Sequence, residues 1–308
     1  MSLSGTLNTS LAGLQVTQQA LQIVGANVAN AQTPGYVRKT LTQTETAAGS
    51  SISVRMTSIN RELDNLIQTQ LRQATSGGSY ADKLSELYQQ LQTIYGTPGS
   101  ATGVDTLFNN FTTAMHSLAA SPNSFAAQST AVNSAQLLTR QLNAMSNGIQ
   151  TMRGAAEQGI AADVQSANSA LQQIATINGQ VATSNAADPT AAALLDQRDK
   201  LIDDLSQYSN VKVSTQPNGM VNVSFGNAAI AAGNGTADAT PLVNGSNVNL
   251  APNLADQNLS GSGGQLGALL GLYDSTSGTG QLQSYITGPG GLNAVASSLA
   301  STVNGAIA

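Results

Sequence analysis

The stretch FAAQSTAVNSAQLLTRQLNAMSNGIQTMRGAAEQGIAADVQSANSALQQIATINGQVATS, from Phe125 to Ser184, decides the fold. It contains no proline, and Ala131, Ala135, Leu138, Leu142, Met145, Ile149, Met152 and Ala156 recur at alternating steps of four and three. After a local break at Ile160 and Val164 the same stripe continues through Ala167, Leu171, Ile174, Ile177 and Val181. Apolar residues at that spacing line one side of an α-helix. Read as a single helix the stretch spans roughly 90 Å at about 1.5 Å per residue. The four glycines inside it each cost about 1 kcal/mol against alanine, so they mark places for a bend or interruption. A rod-like helical domain follows; a compact enzyme fold does not.

Outward from this segment the same period returns on both sides. Leu63, Leu66, Ile67 and Leu71 are helically spaced, the pattern breaks at Gly77-Gly78, and it resumes at Leu84, Leu87, Tyr88, Leu91, Ile94 and Tyr95. GTPGSATG, residues 96–103, reads as a loop. Leu107, Phe108, Phe111, Met115 and Leu118 then mark a helix that closes before Pro122. Pro189 opens a short helix with Leu194, Leu195, Arg198, Leu201, Ile202 and Leu205 on one side. Beyond it the period changes to two. Val211 and Val213, a QPNG turn, then Val221, Val223 and Phe225 predict a hairpin. The Gly/Asn/Ala-rich region up to about Gly264 reads as short strands and loops, and helical spacing returns at Leu292, Val295, Leu299 and Val303.

The fold class is therefore mainly α: an elongated bundle of long helices with a coiled-coil-like N-terminal helix and a small β-rich segment. Four regions are expected: a terminal helix and turn over 1–36, an elongated helical domain over 37–208, a β-rich segment over 209–264, and a return to the helical domain over 265–308.

The terminal helix carries Leu3, Leu7, Leu11, Leu14, Leu21, Val24 and Val28 at steps of four, four, three, seven, three and four. The stripe is narrow, the opposite face reads as Thr, Gln, Ser and Asn, and no partner face lies nearby in the chain. An isolated helix of this kind is marginal in water, so it should be loose until another helix covers it. It ends in VGANVANAQTPGYVRKT, residues 24–40. Asn27 and Asn30 suit a helix end, and Thr33-Pro34-Gly35 makes a tight turn, proline fixing φ and glycine free to take a positive one. Tyr36 begins an extended region, in which Ile52, Val54 and Met56 alternate.

Composition excludes several functions. Across 308 residues only 9% are charged, against a typical ~25%, while 41% are apolar. A formal net charge of −5 argues against nucleic acid, which needs clustered Lys and Arg. There is no cysteine, so disulfides, thiolate metal sites and cysteine nucleophiles are excluded. No cofactor fingerprint or metal-ligand cluster appears, so no cofactor is expected. The single histidine, His116, has no evident partner. The acids Asp196, Asp199, Asp203 and Asp204 invite comparison with a glycosidase pair, but local ion pairing with Arg198 and Lys200 on an exposed helix face is the simpler reading. No catalytic residue is assigned and the chain is not expected to be an enzyme. The N-terminus has no secretory pattern, and no apolar run is long enough to span a bilayer.

The set Asn27, Ala29, Asn30, Thr33, Pro34, Gly35 and Tyr36, placed after an amphipathic helix, resembles the N-terminal signature of the bacterial flagellar rod, hook and hook-associated axial proteins. Within that family, the long helices and LLDQRDKLIDDLSQYSNVKV, residues 194–213, resemble the hook-associated branch. Leu195, Asp196, Arg198, Asp199 and Leu201 belong to that shared segment, and Asp196 and Arg198 are expected to make a fixed structural contact. The resemblance implies an extracellular flagellar component that joins hook to filament. It also implies export through the flagellar channel without a cleaved signal. The implied partners are further copies of itself, the hook protein and a second junction protein or flagellin, with an export chaperone. Family members pair their N-terminal helix with a C-terminal one, and no such segment is present, so the chain reads as lacking its C-terminal part. A rod or hook protein, or an extracellular coiled-coil stalk or adhesin, is the alternative; the stalk leaves the Asn-to-Tyr signature unexplained.

Overall fold

A computed structural model describes residues 3–48, 51–185, 187–225, 232–233, 236–237, 263–273, 281–287 and 291–307. The strands expected over the rest of 226–262 lie outside these residues. The fold is mainly α. In chain order it runs α1 (Leu3–Ala29), β1 (Lys39–Ala48), β2 (Ser51–Arg61), α2 (Asn65–Tyr95), α3 (Val104–Ala120), α4 (Phe125–Thr183), α5 (Pro189–Leu205), β3 (Val211–Thr215) and β4 (Val221–Phe225). Two-residue strands at Ala232–Gly233 and Thr236–Ala237 pair with each other, and α6 (Gly264–Tyr273), α7 (Gln281–Thr287) and α8 (Leu292–Ile307) follow.

Contacts divide the chain into two units, one of residues 1–77 and 165–242, the other of 78–164 and 243–308. The stripe that predicted α4 is its buried side: Leu138, Met145, Ile149, Ile160, Val164, Ala167, Leu171 and Ile174 are all closed off from solvent. The helix is continuous through 59 residues, with no interruption at its glycines. Gly148 shows one reason for a small residue, since an added Cβ would stand 3.0 Å from Ile94 Cγ1. Helix α2 likewise runs through Gly77-Gly78, where the sequence pattern predicts a break. The loss of two apolar positions there interrupts the stripe without breaking the backbone hydrogen bonds.

In the first unit, Ala167, Leu171 and Ile174 of α4 meet Ile202 and Leu205 of α5 and Val211, Val221 and Val223 of the β3–β4 hairpin. That hairpin is antiparallel, with Val213 opposite Val223, and its turn closes at Gly219 with φ of +79°. Asn178 of α4 is fully buried and binds the backbone of Val221 twice, Nδ2 donating to the carbonyl at 2.8 Å and Oδ1 accepting from the amide at 3.2 Å. The second hairpin, β1–β2, pairs Lys39 with Arg61 at its base and carries a register shift at Thr42/Gln43. It lies within the range read as helical, at the segment where period-two alternation was visible, and α1 packs along it.

In the second unit Leu87 and Leu91 of α2, Leu107 and Phe111 of α3, and Leu269, Leu272 and Leu282 of the later helices are buried. Tyr95 and Tyr285 meet edge to face with centroids 6.1 Å apart.

Candidate assembly site at the N-terminal corner

Helix α1 buries Val16 and Ile23, and turns its leucine stripe outward. Leu3, Leu7, Leu11, Leu14, Leu21, Val24 and Val28 are all exposed, from 52% at Leu11 to 90% at Leu3. Val16, Ala20, Ile23 and Asn27 follow steps of four, three and four on the far side of the helix, and this weaker stripe faces the hairpin. The far side is therefore apolar in part, not the purely polar surface that the sequence suggested. Val16 and Ile23 were legible by their seven-residue spacing, but the leucines dominate the pattern.

The corner after α1 is built by local side-chain and backbone hydrogen bonds. Asn30 donates from Nδ2 to the Ala26 carbonyl at 3.0 Å, and Thr33 Oγ1 donates to Asn30 Oδ1 at 3.3 Å. The Tyr36 amide donates to the Thr33 carbonyl at 3.1 Å, closing a turn around Pro34 and Gly35, with Gly35 at φ +83°. That φ is left-handed, which glycine adopts without the penalty a Cβ brings. A Cβ on Gly35 would also come within 3.2 Å of Lys200 Cβ on α5. Asn27 is the hub. Its Nδ2 donates to the Lys39 carbonyl at 2.8 Å, and its Oδ1 accepts from the Lys39 amide at 3.0 Å and the Tyr36 hydroxyl at 2.9 Å. Ala29 is the last residue of α1 and is exposed.

The second cluster joins this corner to α5. Asp196 accepts from Lys39 Nζ through one oxygen and from Arg61 Nε at 2.7 Å through the other. Asp199 binds Arg61, and Asp203 accepts from Arg72 Nε at 2.6 Å. Burial pushes the Asp203 carboxyl above its ordinary value, against the hydrogen bond from Arg72 that lowers it. These pairs correct the local reading of the acids: three of the four reach cations more than a hundred residues away in sequence, and Asp204, bound to Lys200 at 2.7 Å, makes the i,i+4 pair. Lys39, Arg61 and Arg72 were not singled out from the sequence. The spacing of Asp196, Asp199 and Asp203 at three and four steps, which sets them on one helix face, was the available signal.

Arg198 points elsewhere. It is buried with Ile202 and Leu205 and donates to Asn178 Oδ1 at 3.2 Å and to the Gly219 carbonyl at 2.7 Å. Burial lowers the pKa of its guanidinium. Asp196 and Arg198 thus make separate long-range contacts. Leu195 and Leu201 are half-buried, Leu201 packing against the α4–α5 core. His116 is exposed on α3. Among the described residues no group of His, Cys, Asp and Glu could hold a metal ion, and no helix is long and apolar enough to cross a membrane.

An outward apolar helix, a clamped corner and a long helical scaffold are features of a scaffold and interaction protein. Residues 7–36 match the flagella basal body rod protein family, and residues 88–307 match the flagellar hook-associated protein FlgK helical domain. The chain belongs to this FlgK helical-domain family. It is 27% identical over 234 residues to flagellar hook-associated protein 1 of Escherichia coli, covering 73% of this chain and 42% of that one. The protein of the same name from Bacillus subtilis is 26% identical over 226 residues, covering 69% and 44%. Among solved structures, the flagellar hook junction protein FlgK from Burkholderia pseudomallei superposes with a TM-score of 0.52 at 26% identity, over 66% of this chain and 38% of that one. The chain spans less than half the length of the curated relatives it matches.

Proposed function

We propose that the protein is a structural, non-catalytic part of the bacterial flagellum that joins hook to filament by stacking in the axial tube. The observation that carries this is the α1 stripe: seven large apolar side chains at helical spacing, all exposed, on a helix already docked by its other side. A soluble chain presents such a face at a cost in solubility, and burying it against another helix in a lattice is the natural use. The partners are further copies of the chain, the hook protein, and a second junction protein or flagellin, with an export chaperone before assembly. A surface poor in charge and rich in Ser, Thr, Asn and Gln offers weak, adaptable hydrogen bonds to unlike neighbours. Export through the flagellar channel places the protein outside the cell. Family membership supports the flagellar setting, and the names of the relatives support the junction in particular.

The test is deletion of the gene, with electron microscopy of the cells and an assay for flagellin in the medium. Hooks without filaments, with flagellin released, are expected. Loss of the hooks themselves would move the protein to the rod or hook, to which the match over residues 7–36 also points. Normal flagella would end the reading.

A further inference from the structure

We infer that Asp196, Asp199 and Asp203 of α5 are positioning residues that fix the direction of the corner and α1 relative to α5 within the first unit. The inference rests on the reading of α1 as the assembly helix. These three carboxylates share one face of α5, and each holds a cation from the segment that follows the corner: Lys39 at the first position of β1, Arg61 at the last of β2, and Arg72 in α2.

Lys39 connects the two clusters. Its backbone closes the Asn27 clamp at both amide and carbonyl, its ammonium lies 3.8 Å from the centre of the Tyr36 ring, and the same ammonium binds Asp196. Gly35 lies against the root of the Lys200 side chain, so α5 touches the corner at two points. Fully buried apolar packing does not supply this join. Among the described residues no hydrophobic side chain between Ile23 and Leu87 is buried, whereas Lys39 and Arg72 are. Apolar contact is non-directional and tolerates sliding. Charged hydrogen bonds in a shielded site are directional, and removing one partner leaves the other charge unpaired. Asp196 uses both oxygens on two cations from opposite strands at the hairpin's base, which resists rotation about either one.

Because the chain has no cysteine, spin labels on cysteines introduced at the exposed positions Gln18 of α1 and Gln197 of α5 report this angle without background. The distance between them is measured by pulsed electron resonance on the labelled chain and on four variants. The labelled parent, Lys39→Arg and Asp204→Asn should each give one narrow distance peak. Lys39→Met and Asp196→Asn should lose that peak and spread the distances while keeping the helical circular-dichroism signal. If Asp196→Asn fails to fold, Lys39→Met, which keeps the aliphatic stem, decides alone. An unchanged narrow peak in Lys39→Met overturns the inference. The measurement uses isolated protein, so it stands apart from the deletion experiment, whose failure would remove the flagellar role and leave the clasp untouched.

Discussion

The Tyr36 hydroxyl donates to Asn27 Oδ1 at 2.9 Å, the same oxygen that accepts the Lys39 amide. One asparagine thereby holds the end of α1, the tyrosine after the turn and the first residue of the hairpin. Tyr36→Phe removes a single bond and should cost about 0.5–1.5 kcal/mol locally; Asn27→Ala removes all three and should cost about 2–3 kcal/mol. Amide hydrogen exchange over residues 26–42 measures both, with faster exchange confined to that segment.

Gly35 has a positive φ, and a Cβ there would stand 3.2 Å from Lys200 Cβ, tighter than an ordinary contact. The neighbouring atom is a Cβ close to the backbone of α5, so it cannot swing aside as the end of a long side chain would. Gly35→Val should cost about 1–2 kcal/mol from the left-handed conformation alone, more with the clash. It should leave the melting of the α4–α5 core unchanged while limited proteolysis near the corner accelerates. Equal proteolysis rates would argue against a strained corner.

Asn178→Ala strips the backbone of Val221 and the guanidinium of Arg198 of a shared partner in a fully buried place. Removing these buried hydrogen bonds should lower stability by about 2–4 kcal/mol, read from chemical denaturation.

Burial pushes the Asp163 carboxyl up to about 6, opposed by Lys83, and its Oδ2 is enclosed without a hydrogen-bond partner. A raised carboxyl value favours the folded state when protonated. That contribution is complete below the ordinary value of 3.8 and is lost as pH rises through about 6. Asp163→Asn should therefore stabilise the protein at pH 8, by about 1 kcal/mol after allowing for solvent screening, and leave it unchanged near pH ~3.5. Thermal melts of both proteins at the two pH values check the sign.

The sequence was legible where local period carries the structure. The α4 stripe, the α5 start at Pro189 and the Val211–Phe225 hairpin all follow from spacing, and Asp188 caps α5 by accepting from the Thr190 amide at 2.8 Å. Legibility failed where a second element decides. Asp196 looks like a solvated acid until Lys39 and Arg61 are brought to it across 157 and 135 residues. The Gly77-Gly78 pair looks like a break because glycine weakens a helix, but two glycines cost about 2 kcal/mol, which a 31-residue helix with buried positions such as Leu87 and Leu91 can absorb. At the corner, the residue types predicted a turn; the Asn27 clamp was not legible, because Lys39 contributes its backbone, which every residue has.

The exposed stripe of α1 is the centre of the functional account, and one measurement addresses it directly. A deletion strain is complemented with the gene carrying Leu7→Asp, Leu14→Asp and Leu21→Asp, all on the outward face. The isolated variant should keep its circular-dichroism spectrum, since Val16 and Ile23 still dock α1. In cells it should yield hooks without filaments and flagellin in the medium. Filaments in wild-type number from the same variant would contradict assembly through this face.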